Sequence, residues 1–250
     1  MENLFGLGPG MTALAFLVAV AAGAVGAVAG MGSGLLMTLF ITPIIGAKAV
    51  VPVISVVMLI TNASRVWVYR DALVGPKIWL IAGIAIPASA LGALLYVRLD
   101  GIFVQVMLGL VLMLSIPLRR WMDRRKLTPG RPQIVAVSGI FGFLSSMIVG
   151  AGILVIPMLM GLGLAGPALI ATDAAIAVLV NFAKVIFFGS LDAMTMDLFL
   201  LALMLGLAGI PGTWAGAWVV NRTSIRVHTL AIEALIVLGG LSLVAGALLN

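Results

Sequence analysis

Long apolar runs without strict alternation, separated by short polar clusters, set the pattern of this chain. From Met11 to Ala47 there is no charged residue, a stretch too long for one helical span of about 20 residues. Gly30, Gly32 and Gly34 interrupt it, and Pro43 and Gly46 lie near its end. The pattern predicts a spanning helix, a break at 30–34 and a shorter second piece. A second span covers about Val50 to Tyr69, with Pro52 in its first turn, where a missing N–H costs little. The third and fourth spans run from Ile78 to Val97 and from Ile102 to Leu118. Beyond a charged cluster, the fifth runs from Ile134 to Met160 with a break at 150–152. The sixth, seventh and eighth cover Ala168 to Phe188, Leu198 to Val220 and Thr229 to Leu249. Backbone groups in lipid must bond internally, and these unalternating runs exclude a barrel. The expected fold is an all-α integral membrane protein of about eight transmembrane helices, some made discontinuous by glycine.

The chain also repeats itself. Gly32 to Tyr69 (GSGLLMTLFITPIIGAKAVVPVISVVMLITNASRVWVY) has an echo in the stretch from Gly150 to Phe188 (GAGILVIPMLMGLGLAGPALIATDAAIAVLVNFAKVIFF). Each copy opens on Gly-small-Gly, turns at a Gly-rich spot and ends on Asn, two residues, then a cation: Asn62 with Arg65, Asn181 with Lys184. The offset is 118 residues at the glycines, 119 at the Asn-x-x-cation motif and 124 between Pro87 and Pro211 and between Arg98 and Arg222. A drift of this kind predicts two collinear four-helix repeats, 1–118 and 134–250, joined by a basic linker at 119–133, an architecture common in transporters. Ala22, Gly26 and Gly30 form a small-residue face that lets helices approach closely.

Composition agrees. Of 250 residues, 63% are hydrophobic and 9% charged, with mean hydropathy +1.30. A soluble domain carries about a quarter charged residues, so the solvent here is lipid. There is no cysteine and one histidine, and no metal-ligand spacing occurs, so neither a metal nor another cofactor is expected. Met1-Glu2-Asn3 lacks a basic n-region, so Met11 to Ala29 is read as a retained span. The net charge of +6 sits in loops and points to topology signals and lipid headgroups rather than nucleic acid. Arg119, Arg120, Arg124, Arg125, Lys126 and Arg131 place the linker in the cytoplasm. If all eight segments cross once, both termini join it there, with Arg70 and Lys77 inside and Lys48, Arg98, Arg222 and Arg226 outside. If the pieces after each break re-enter instead, the halves are related by an inverted axis.

Charges within spans are costly and line a cavity or a partner. Arg65 and Lys184, at matching repeat positions, are therefore candidate anion ligands. The bland alternative is snorkelling to the headgroups, harder to sustain for Lys184 because Val185 to Phe188 continue the apolar run. Two cations facing one another across a pseudo-two-fold axis make a compact anion site, with Asn62 and Asn181 offering amide donors. The breaks at Gly32-Ser33-Gly34 and Gly150-Ala151-Gly152 free backbone N–H groups at half-helix N-termini, and Ser33 adds a hydroxyl. Asp173 precedes Lys184 by eleven residues, about 16 Å along one helix. It is a candidate for taking up a coupling proton or for pairing with a cation from another helix. Glu233 and His228 are further coupling candidates, and Trp214, beside Pro211, is a candidate for lining a pathway.

The duplicated glycine break, the Gly-rich turn and the Asn-bearing second span resemble the sulfite exporter TauE/SafE family, also called TSUP, over almost the whole chain. The glycines at 32, 34, 150 and 152 match the family's glycine motifs. Thr172 matches a threonine near the start of the following span, whereas Asp173 departs from the small polar residue expected there. The resemblance implies transport of small sulfur-containing anions, such as sulfite or organosulfonates, across the bacterial inner membrane. The partners expected are thus a small anion, the lipid bilayer and a proton or counter-ion, for a monomer or homodimer. An anion channel, or a permease for carboxylates or other oxyanions, would use the same cations. Gly-x-Ser-x-Gly and His-Glu-x-x-His are both absent, so an enzyme is not expected.

Overall fold

The computed structural model describes residues 9–29, 33–123, 129–220, 237 and 240–248. Among the described residues all regular structure is helical. In order these helices are α1 (Pro9–Ala29), α2 (Ser33–Ile45), α3 (Ala47–Val68), α4 (Gly75–Tyr96), α5 (Gly101–Asp123), α6 (Arg131–Met147), α7 (Val155–Gly161), α8 (Gly166–Ser190) and α9 (Met196–Val220). Single 3₁₀ turns at Arg70–Ala72 and Ala151–Leu154 precede α4 and α7. Residues 240–248 are helical and lie along α5, where Gln105 Nε2 donates to the Leu243 carbonyl at 3.1 Å. Proline opens α4, α6 and α8, supplying a preset φ where no N–H is needed. Gly46, at φ 79°, makes the reversal from α2 into α3, a conformation in which a Cβ would be strained.

Helices α3, α4 and α8 and the Met196–Gly216 part of α9 are each long and apolar enough to cross a bilayer. The protein is a multi-pass membrane protein. At its centre α3 packs on α8, and the two are antiparallel. Arg65, near the end of α3, meets Asp173, near the start of α8. At the other end Tyr96 donates its hydroxyl to the Ala47 and Lys48 carbonyls and sets its ring edge-on against Phe188, with centroids 5.5 Å apart. Two flanking pairs rely on glycine for contact. Helix α1 packs on α9, with Gly212 against the Val20 carbonyl and Gly216 against the Ala24 carbonyl, so these helices are parallel. Helix α4 packs on α6, with Gly142 against Ala85 and Gly92 against Phe143, again parallel.

Contacts of the same kind orient α9 parallel to α3: Gly206 meets Ile60, Gly209 meets Thr61, and the Trp214 indole N–H donates to Ser64 Oγ at 3.1 Å. Since α1, α3 and α9 all point one way, α2 must run back between α1 and α3. It has thirteen residues, about 20 Å, too short to cross a hydrocarbon core of about 30 Å. The second half turns back likewise. Lys77 Nζ, at the start of α4, donates to the Leu162 carbonyl just beyond α7 at 2.6 Å, so α7 climbs back to the face from which α6 descended.

This corrects the sidedness expected for eight single crossings. In each half the short helix after the glycine break, α2 or α7, runs back antiparallel to the longer helix before it, α1 or α6. Helix α1 therefore starts on the face opposite the one that α5 reaches before the linker. Arg70, Lys77 and Arg131 share the linker face, and α9 also runs toward it. Arg222 and Arg226, expected on the face opposite the linker, lie outside the described residues. Lys48 and Arg98 remain together on the other face, where Lys48 Nζ donates to the Val97 carbonyl.

Candidate functional site: buried cations between α3 and α8

Arg65 and Lys184 are both buried, along with Asn62 and Asn181. In each copy the cation donates to the asparagine one turn earlier: Arg65 Nη1 to Asn62 Oδ1 at 3.0 Å and Lys184 Nζ to Asn181 Oδ1 at 3.3 Å. Each asparagine in turn donates its Nδ2 to the carbonyl four residues back, Met58 and Ala177, both at 2.8 Å. Three-residue spacing puts Asn and cation on one helix face, and the back-bond fixes which amide atom the cation meets. The asparagines therefore orient the cations, leaving one amide N–H each for a ligand.

The two cations do not stand level. Arg65 faces Asp173, with Nη2 and Oδ2 3.9 Å apart and both side chains largely buried. Equal steps from that level along antiparallel helices bring Lys184 beside Ile54, about 16 Å away. The cations thus approach the middle of the α3–α8 pair from opposite ends instead of facing directly. The reason is the antiparallel crossing: a parallel pair would bring matching repeat positions level. Helical side chains lean toward their own N-terminus, here toward the middle from both sides, as the hydrogen bonds to Asn62 and Asn181 show. Asn62 stands level with Ile176, five residues from Asn181, which leaves about 7.5 Å between the two amides along the axis.

The two glycine breaks touch each other. A Cβ on Gly34 would lie 2.9 Å from Val149 Cγ1 and 2.8 Å from Met58 Sδ, and one on Gly150 would lie 2.7 Å from Leu35 Cδ2. Gly150 also takes φ 97°, the left-handed turn that starts the climb toward α7. Gly152 has open space around it. Gly34 also borders Ile54, so the start of α2 lies near the Lys184 level. Gly32 is outside the described residues, as is the side chain of Ser33, the first residue of α2.

Residues 15–243 match the model of the sulfite exporter TauE/SafE family. The chain belongs to that family. No curated protein and no solved structure matches it. Membership in TauE/SafE implies a membrane transporter of sulfur-containing anions such as sulfite.

Of the other candidates in this TauE/SafE chain, Asp173 is brought to Arg65, whereas Glu233 and His228 lie outside the described residues. Thr172 is fully buried and accepts a hydrogen bond from the Val74 N–H at 3.3 Å, fixing the loop before α4 to α8. Trp214 corrects its expected role: it is exposed on the outer side of the α3–α9 seam and does not line the interior. No group of three metal-ligating side chains occurs among the described residues. Reading the sequence missed Leu35 and Val149, which join the breaks, and Lys77, which ties the halves together. The only available signal for the first two was adjacency to the glycine motifs.

Proposed function

We propose that this protein is a secondary transporter of a small sulfur-containing oxyanion, sulfite or an organosulfonate, in the bacterial inner membrane. The observation that carries the reading is Lys184: a buried ammonium that donates to a neutral amide, with no carboxylate within 4.0 Å among the described residues. An unneutralised charge in an apolar interior is costly, and a bound anion supplies the missing countercharge. In this reading the anion sits midway along α3 and α8, reached by Lys184 and Asn181 from one end and by Arg65 and Asn62 from the other. The glycine breaks, including Gly32, Gly34, Gly150 and Gly152, let it approach backbone N–H groups, with Ser33 as an added donor.

The two halves, 1–118 and 134–250, act as inverted repeats. Exchanging them maps the α1–α9 contact onto α6–α4 and the α3–α9 contact onto α8–α4, while α3–α8 maps onto itself. Rocking of one half against the other then alternates access. The total of eight spans becomes six or more crossing helices with two re-entrant hairpins. The driving force is an ion or substrate gradient, with Asp173, Glu233 and His228 as coupling candidates.

Reconstitution tests the proposal. Proteoliposomes loaded with unlabelled sulfite should accumulate external radiolabelled sulfite by counterflow, and Lys184→Ala should abolish it. Downhill flux without counterflow would identify a channel, and counterflow with carboxylates but not sulfur oxyanions would reassign the substrate.

A further inference from the structure

The proposed anion site has one asymmetry that its repeat does not require. Asn62 and Arg65 correspond to Asn181 and Lys184 at an offset of 119 residues, and at that offset the counterpart of Asp173 is Ile54. Arg65 thus has a carboxylate beside it, whereas the repeat counterpart of that carboxylate is a buried isoleucine. The Arg65–Asp173 contact is long. At 3.9 Å it is well beyond the about 2.7–2.9 Å of a charge-assisted hydrogen bond, and the guanidinium makes its 3.0 Å bond to Asn62 instead. Asp173 neutralises Arg65 without binding it tightly.

We propose that Asp173 is a tethered internal anion that occupies Arg65 when no substrate is bound and is displaced by the oxyanion. The inference rests on the functional reading above and adds to it. Lys184 is the end at which an anion first gains a countercharge, and Arg65 is the end at which it competes with a carboxylate of the protein itself. Among the described residues, the largely buried charged side chains of α3 and α8 are Arg65, Asp173 and Lys184; Arg70 and Asp71 pair in exposed positions, and Lys77 is engaged by the Leu162 carbonyl. A competitor of this kind weakens the resting affinity for the anion. In return Asp173 stays beside Arg65 and competes to recapture it, which helps the bound anion leave.

The test measures sulfite affinity of the purified, full-length protein by calorimetry and sulfite turnover in proteoliposomes. Asp173→Asn should bind sulfite at least tenfold more tightly and turn over at least tenfold more slowly, and Asp173→Glu should restore both values toward wild type. Ile54→Asp, which sets a second carboxylate level with Lys184, should weaken binding at least tenfold. Opposite signs at two positions do not follow from a purely structural role. Unchanged or weaker binding in a folded Asp173→Asn protein, while Lys184→Ala still abolishes binding, overturns this inference and leaves the transporter reading standing. If Asp173→Asn does not fold, Ile54→Asp decides: unchanged affinity there overturns the proposal. Absence of sulfite binding by wild type overturns both readings.

Discussion

Gly34, at the start of α2, and Val149, at the end of α6, meet so closely that a β-carbon on the glycine would sit 2.9 Å from Val149 Cγ1. The contact joins the two glycine breaks, one from each half of the chain. Its consequence is steric. Gly34→Val should cost about 1–3 kcal/mol through overpacking, read as a lower melting temperature in detergent, with sulfite uptake reduced in proportion to the misplacement of α2.

Gly152 supplies the contrast. A β-carbon there would meet nothing within 4 Å, and its φ is not left-handed. Gly152→Ala should therefore fold with a melting temperature close to wild type while weakening sulfite binding, because the added methyl occupies space the ligand uses. Unchanged affinity in the calorimeter would remove this glycine from the site.

The two buried cations should respond differently to removal. Lys184→Met replaces an unneutralised buried ammonium by an apolar side chain of similar length, so the ligand-free protein should be as stable as wild type or more so. It should also lose the stabilisation that saturating sulfite gives, about 2.7 kcal/mol at one hundred times Kd. Arg65→Ala strands Asp173 and should cost about 3–5 kcal/mol. Thermal melts with and without sulfite separate the two cases.

Sidedness can be read directly, because the chain has no cysteine. Single cysteines at Leu73 and Gly130 should react with a membrane-impermeant maleimide from the cytoplasmic side. Those at Gly10, Leu99 and Ala193 should react from the opposite side. Labelling of Gly10→Cys from the cytoplasmic side would restore the order of eight single crossings and sink the re-entrant reading.

The sequence exposed the local parts of this arrangement and hid the relations between them. The apolar runs marked α3, α4, α8 and α9 to within a few residues, since lipid demands length and apolarity that any hydropathy pattern displays. The motif spacing also revealed that Asn62 with Arg65 and Asn181 with Lys184 share a helix face, because three residues is nearly one turn. Which residue stands level with Arg65 was not legible. That depends on whether α2 and α7 cross or return, and the run from Met11 to Ala47 is long enough for either. The direction of α2 is fixed by contacts distant in sequence, such as Gly212 on Val20 and Gly206 on Ile60.

The antiparallel run of α3 and α8 also bears on how a voltage across the bilayer would act on the transport cycle. Side by side and opposed, their macrodipoles largely cancel, so an electric field across the bilayer acts here mainly on Arg65, Asp173, Lys184 and the cargo. If Arg65, Asp173 and Lys184 are all charged, the empty core carries one net positive charge, and a monovalent anion brings it to zero. The loaded step would then be nearly indifferent to membrane potential. The empty return would carry a charge worth up to about 2.3 kcal/mol per 100 mV, making the reset of the cycle its voltage-dependent stage.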